Sequence, residues 1–357
     1  MNRGAFLLLV IIAVVFVLIA GIGIVIVTCN NGKTETEITE EPVLNEEEEE
    51  EVSAIEEIEE EKTETDYSAQ NQTPHTSAQV SRTSASNLSR IRGGRVNFSE
   101  IDPVNYENPD IDVLRHMGAD QYLISFFTGE QHYRNADYDR AIAEYTAAIS
   151  RNGDFLAAFV SRGNAWMKKR DYSRAIEDFS RAIRLDGTRA ELYNYRGFAR
   201  SARQETSLAI EDFSRALVLN RNYVDALVNR SHSYYQIGNF DKTIEDCDLI
   251  LRLEPSNAVI WNRRGSAWYR KEDDERAIRD FSEAIRLNAN YSLPLYNRAN
   301  SYYNRRDFDR ALADLNRCIS INPSFAPAYT SRGNVMRQLG NIESANADFA
   351  AAQRLQR

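Results

Sequence analysis

Two columns of charge run through this sequence at a fixed interval. Arg162, Arg196, Arg230, Arg264, Arg298 and Arg332 stand 34 residues apart, as do Glu144, Asp178, Asp212, Asp246, Asp280, Asp314 and Asp348. A row of guanidinium groups can bind phosphate or an acidic peptide; arginines level with carboxylates can instead close ion pairs. A second set carries aromatic and amide groups: Tyr133, Tyr235, Tyr269 and Tyr303, with Asn164, Asn194, Asn262, Asn300 and Asn334. Tyrosine offers rigid contact area, and asparagine can bond a peptide backbone from either side. Catalytic or metal chemistry has little to work with. His75, His116, His132 and His232 are scattered, and Cys29, Cys247 and Cys318 form no Cys-x-x-Cys. No serine lies in a Gly-x-Ser-x-Gly turn, and Gly21 and Gly23 fall inside an apolar run, not ahead of a phosphate-binding helix. The expectation is a protein without catalytic residues, cofactor or metal, whose work is binding.

The elements that must position these groups repeat with the same period. From Tyr122 onward the chain divides into seven blocks, 122–155, 156–189, 190–223, 224–257, 258–291, 292–325 and 326–357, with no insertion or deletion. Block position 8 reads Gly129, Gly163, Gly197, Ser231, Gly265, Ala299 and Gly333, and position 20 is alanine except for Thr243. Position 24 holds Tyr145, Phe179, Phe213, Cys247, Phe281, Leu315 and Phe349. Each block contains two runs with apolar residues at helical spacing, such as Ala175, Ile176, Phe179, Ala182 and Ile183. A break such as Lys169-Arg170-Asp171 or Ile237-Gly238-Asn239 separates the runs, and its Asp or Asn suits the start of a second helix. Pro255 and Pro323 close two of the blocks. Each unit therefore reads as a helix–turn–helix hairpin whose core is completed by its neighbours. In a hairpin turning at positions 15–16, the arginines at position 7 lie level with the acids at position 23. Pairing is thus the geometric expectation for the charge columns.

These blocks resemble the tetratricopeptide repeat, most closely in Trp261, Gly265, Trp268, Ala277, Phe281 and Ala284. The resemblance covers about two-thirds of the chain. It implies an all-α fold, a right-handed superhelical solenoid of seven hairpins whose first helices line a concave face. It also implies a protein or peptide segment as partner. The tyrosines and asparagines above fall on first helices, the tyrosines at position 12, which the motif does not demand. Repeat four departs most from the pattern, with Ser231, Thr243, Cys247 and Ile250, and is expected to pack more loosely. The lysine-bearing carboxylate clamp of chaperone-binding members is absent, since position 5 reads Phe126, Val160, Asn194, Val228, Asn262, Tyr296 and Thr330. Asn346 and Gln353 replace apolar residues in the last block, a polar end face that keeps a solenoid soluble.

The N-terminal third differs in kind. Residues 1–29 read as a membrane anchor with a helix over 5–27, because Ala5 to Val27 is an unbroken run of 23 apolar residues. As a helix that run spans about 35 Å, enough for a hydrocarbon core of about 30 Å. Arg3 ahead of it favours a cytoplasmic N-terminus and an extracytoplasmic array. A rival reading makes Cys29 a lipidated N-terminus, although Thr28 fits a lipobox poorly. Residues 30–110 read as a disordered linker, acidic and then rich in Ser and Thr. Residues 34–66 hold 17 acids against Lys62 alone, a net of −16 where the whole chain carries −10. Residues 111–121 lead into the array. The basic patch of Arg90, Arg92 and Arg95 is too small to suggest nucleic acid.

The sequence as a whole points to a scaffold held at a membrane that receives a partner segment in its groove, as in envelope or membrane-associated assembly. Two alternatives remain: a surface-exposed protein binding through its outer face, and a cytosol-facing receptor for precursor proteins.

Overall fold

The structure, a computed structural model, describes residues 24–30, 33–39, 111–116 and 118–356. It divides into two units, residues 1–69 and 70–357. In the first unit β1 (Ile24–Asn30) and β2 (Lys33–Thr39) pair antiparallel, from Ile24 opposite Thr39 to Asn30 opposite Lys33. This corrects the sequence reading at two places. Ile24 to Val27 were expected to end a helix, and residues 33–39 to belong to a structureless linker. Both segments are rich in β-branched residues, which suit a pleated strand, and the intervening Asn31-Gly32 is a favoured hairpin-turn pair. The expected span over residues 5–23, the linker over 40–110 and the basic patch lie outside the described residues. Among the described residues no helix is long and apolar enough to cross a membrane.

Among the described residues of the second unit, every regular element is a helix. A short α1 (Ile111–His116) precedes seven pairs. They are α2 (Gln121–Arg134) with α3 (Tyr138–Arg151), α4 (Leu156–Lys168) with α5 (Tyr172–Leu185), and α6 (Ala190–Ala202) with α7 (Thr206–Leu219). Next come α8 (Val224–Gln236) with α9 (Phe240–Leu253) and α10 (Ala258–Arg270) with α11 (Asp274–Leu287). The last are α12 (Ser292–Asn304) with α13 (Phe308–Ile321) and α14 (Ala326–Gln338) with α15 (Ile342–Leu355). Helices pack on their partner in the pair and on the next pair along the chain, as a solenoid requires. Leu114 of α1 is buried against the first pair's core, with Ile111 packed on it, so α1 covers the side that has no preceding repeat. At the other end Asn346 and Gln353 are exposed.

Close packing within each pair explains the glycine column. A Cβ at Gly265 would stand 2.6 Å from Cε1 of Phe281, and one at Gly163 2.7 Å from Cε1 of Phe179. Where position 8 carries a side chain, position 24 has lost its ring: Ser231 goes with Cys247 and Ala299 with Leu315. In repeat four Ile250, fully buried, adds volume next to Cys247, and Thr243 bonds the carbonyls of Asn239 (3.1 Å) and Ser231 (3.4 Å). Repeat four is therefore repacked around a hydrogen-bonded Thr243, with Nδ1 of His232 buried and without a hydrogen-bond partner among the described residues.

The turn within every pair is left-handed at position 15: Ala136, Arg170, Gln204, Gly238, Glu272, Arg306 and Gly340 all have φ between 58° and 78°. The following residue donates back across the turn, as Asp137 N–H does to the His132 carbonyl at 2.9 Å. Six of the seven second helices then open on an Asp or Asn whose side chain accepts an amide of the first turn; Glu205 is the exception. Gly238→Ala is expected to lower stability by about 1 kcal/mol, because an alanine Cβ is strained at positive φ. Gly153→Ala, at a glycine with open space and no such φ, should be neutral or slightly stabilising in the same denaturation series.

Candidate functional site

The charge columns close on themselves. Arg162, Arg196, Arg230, Arg264, Arg298 and Arg332 each grip the acid 16 residues on through two parallel bonds of 2.7–2.9 Å. The third arm of each guanidinium, Nη1, reaches back to position 25 of the preceding repeat. Its acceptors are Thr146, Ser180, Ser214, Asp248, Ser282 and Asn316, at 2.5–3.2 Å. Each arginine is thus a strut between two second helices, with all three of its guanidinium nitrogens engaged inside the array. That removes the column as a stripe for phosphate or acidic peptides. Burial pushes the carboxyls of Asp178, Asp246 and Asp280 above the usual carboxylate range, against the pull of their arginines. The sequence suggested the pairing within a repeat; the strut escaped it, although the run of hydroxyl, amide and carboxylate side chains at position 25 was the signal.

The tyrosines at position 12 are half-buried. Tyr133, Tyr235 and Tyr303 lean edge-on against Tyr138, Phe240 and Phe308, the first residues of the following helices, with ring centroids 5.4–5.6 Å apart. Tyr269 stands at the same position, where Asp274 opens the following helix. Tyr303 Oη also accepts from Gln338 Nε2 of the next repeat, at 3.4 Å. Burial, with Tyr138 and Glu130 nearby, raises the Tyr133 hydroxyl to about 12. These rings are held on one side and lie on the face formed by the first helices.

The asparagines divide. Asn194 is buried; its Oδ1 accepts from Asn229 (3.0 Å) and its Nδ2 donates to Tyr223 Oη (3.4 Å). Asn262 is fully buried and accepts from Asn297 at 3.2 Å, which also reaches Ser266 Oγ at 3.3 Å. Asn300 accepts from Ser331 at 3.2 Å, and Asn334 from Arg337 at 3.0 Å. Asn164 is half-buried with no hydrogen bond among the described residues. Ser161 donates to Glu130 Oε1 at 2.7 Å, where Tyr145 Oη also donates at 2.8 Å, and Arg263 Nη1 reaches the Val228 carbonyl (3.1 Å) and Ser231 Oγ (3.0 Å). Position 6 of one repeat thus bonds positions 5, 8 or 9 of the one before. Asn194, Asn262 and Asn300 serve these rungs, while Asn164 and the tyrosines keep accessible surface. Position 6 carries Phe127, Ser161, Tyr195, Asn229, Arg263, Asn297 and Ser331, so no single residue type announced the rungs. Phe198, at position 9 of repeat three, is 38% exposed on the same face and was not among the residues singled out from the sequence. No cluster of His, Cys, Asp or Glu among the described residues could hold a metal ion.

A stack of helical hairpins with struts on one side and an aromatic face on the other defines a helical-repeat interaction protein. Sequence models of the tetratricopeptide repeat match residues 128–190, 229–292 and 293–325, and the array belongs to that family. A tetratricopeptide repeat protein from Parabacteroides merdae has the same fold. It is 19% identical, with a TM-score of 0.54, over 66% of this chain and 93% of that one. The C-terminal part of a repeat protein from Cytophaga hutchinsonii is 17% identical, with a TM-score of 0.53, over 64% and 92%. A MamA protein is 26% identical over 47% of this chain and 91% of that one, with a TM-score of 0.45. No curated protein matches the sequence.

Proposed function

We propose that this protein is a membrane-held scaffold that receives a segment of a partner protein on the first-helix face of repeats four to six. Tetratricopeptide arrays serve protein–protein interaction and are typically not enzymes, which gives the general class. The observation that carries the finer reading is the row Tyr235, Tyr269 and Tyr303, three half-buried rings in register over three consecutive repeats. Such a row suits an extended or helical segment with one anchor per repeat. Membrane attachment rests on the apolar sequence alone: upstream of β1, Ala5 to Gly23 still makes 19 residues, within the range of about 17–25 that spans a bilayer. An extracytoplasmic array and a role in envelope assembly follow from that attachment and from the flanking charges.

The test is site-specific photocrosslinking in the native cell, on the full chain. A crosslinker at Tyr235, Tyr269 or Tyr303 is expected to trap one and the same protein. The exposed second-helix sites Glu245 and Arg279 should not trap it, and the Tyr235→Ala, Tyr269→Ala, Tyr303→Ala variant should lose it while remaining equally helical. A partner trapped from the second helices and kept by the triple variant would move the site to the outer face.

A further inference from the structure

The inner rungs tie five of the six joints between consecutive repeats. Ser161 ties one to two, Asn229 three to four, Arg263 four to five, Asn297 five to six and Ser331 six to seven. The joint between repeats two and three has no such bond among the described residues. Position 6 is there Tyr195, half-buried, with its ring 5.7 Å from that of Phe179 and no hydrogen bond of its own among the described residues. Opposite it stand Val160 and Asn164. The helices α4 and α6 also approach each other less closely than the first helices of most joints. The same is true of α8 and α10, but there the buried Arg263 bridges the gap to α8. Even the outer strut at this joint, Arg196 Nη1 to Ser180, is at 3.2 Å the longest of the six.

A hydrogen bond fixes an angle, whereas apolar contact is non-directional and tolerates rotation and sliding. We infer that the joint between repeats two and three is the hinge of the array, about which repeats one and two move as one body against the rest. Hinges of this kind take up motion between segments that stay internally packed. The motion changes the width of the first-helix face around Asn164 and the exposed Phe198, the two groups there that no rung engages.

The test is a pair of spin-label distances in the full chain carrying Cys29→Ser, with Cys247 and Cys318 left in place because both are fully buried. Labels at Ala143→Cys and Glu245→Cys span the joints from repeat one to four; labels at Glu245→Cys and Ala347→Cys span those from four to seven. All three sites are exposed. The first distance distribution is expected to be the broader. Tyr195→Asn, which places an amide opposite Asn164 as Ser331 stands opposite Asn300, should narrow the first toward the width of the second and leave the second unchanged. Asn229→Leu, which deletes a rung, should broaden the first further. Equal widths in the parent, or a first distribution that neither substitution moves, overturn the hinge.

Discussion

Arg298→Ala is expected to destabilise the array by about 3–5 kcal/mol, the cost of leaving one member of a buried ion pair without its partner. Arg298 holds Asp314 through bonds of 2.7 and 2.8 Å and Ser282 of the preceding repeat at 2.8 Å. The two side chains of the pair are only 18% and 10% exposed, so water cannot replace what is removed. The double variant Arg298→Met, Asp314→Leu should recover most of the loss, because two apolar side chains of similar size ask for no counter-charge. Guanidinium denaturation followed by helical circular dichroism measures both. Hydrogen exchange should place the loss in repeats five to seven, since repeats couple only to their neighbours. A single variant that loses less than about 1 kcal/mol would class the pair with solvent-exposed salt bridges and remove the strut as a stabilising element.

Gly265→Ala should cost about 1–3 kcal/mol through overpacking, which exceeds the roughly 0.5–1 kcal/mol that alanine gains over glycine inside a helix. The new Cβ would meet Cε1 and Cδ1 of Phe281 at 2.6 and 2.7 Å, and both helices are fixed by their neighbours. Phe281→Leu alone should also destabilise, by leaving space. Combined, the two substitutions reproduce the Ala299 and Leu315 of repeat six and should be less harmful than the sum of the single changes. Strict additivity in that cycle would show that the two columns do not share one space.

The hairpins were readable because their apolar positions recur with the helical period and their breaks carry capping residues. Other features were hidden for physical reasons. The left-handed position 15 is a requirement on the backbone, and five of its seven residues are not glycine, so composition gave no sign of it. Asn194 and Asn262 read the same as Asn164 in sequence, yet the first two are buried, because what faces each amide is position 6 of the next repeat, a column without a common residue type. The charge columns were decided by geometry within one block, whereas the struts needed the stacking of two. Ile24 to Val27 satisfied both a membrane helix and a strand by composition; pairing with Lys33 to Thr39 is a relation between segments that a run of apolar residues does not display.

The two rows of inter-repeat bonds differ in how specific they are. The outer struts present the same arginine to a hydroxyl, amide or carboxylate at every joint, so any of repeats two to seven can sit behind any of repeats one to six and still be gripped. The inner rungs are individual: Asn229 suits Asn194, Arg263 suits Ser231, and Asn297 suits Asn262 with Ser266. One row makes the units interchangeable and the other gives them an order. Whole 34-residue units can therefore be inserted or removed between existing joints with the row of struts kept, while each such change rewrites the surface that a partner meets.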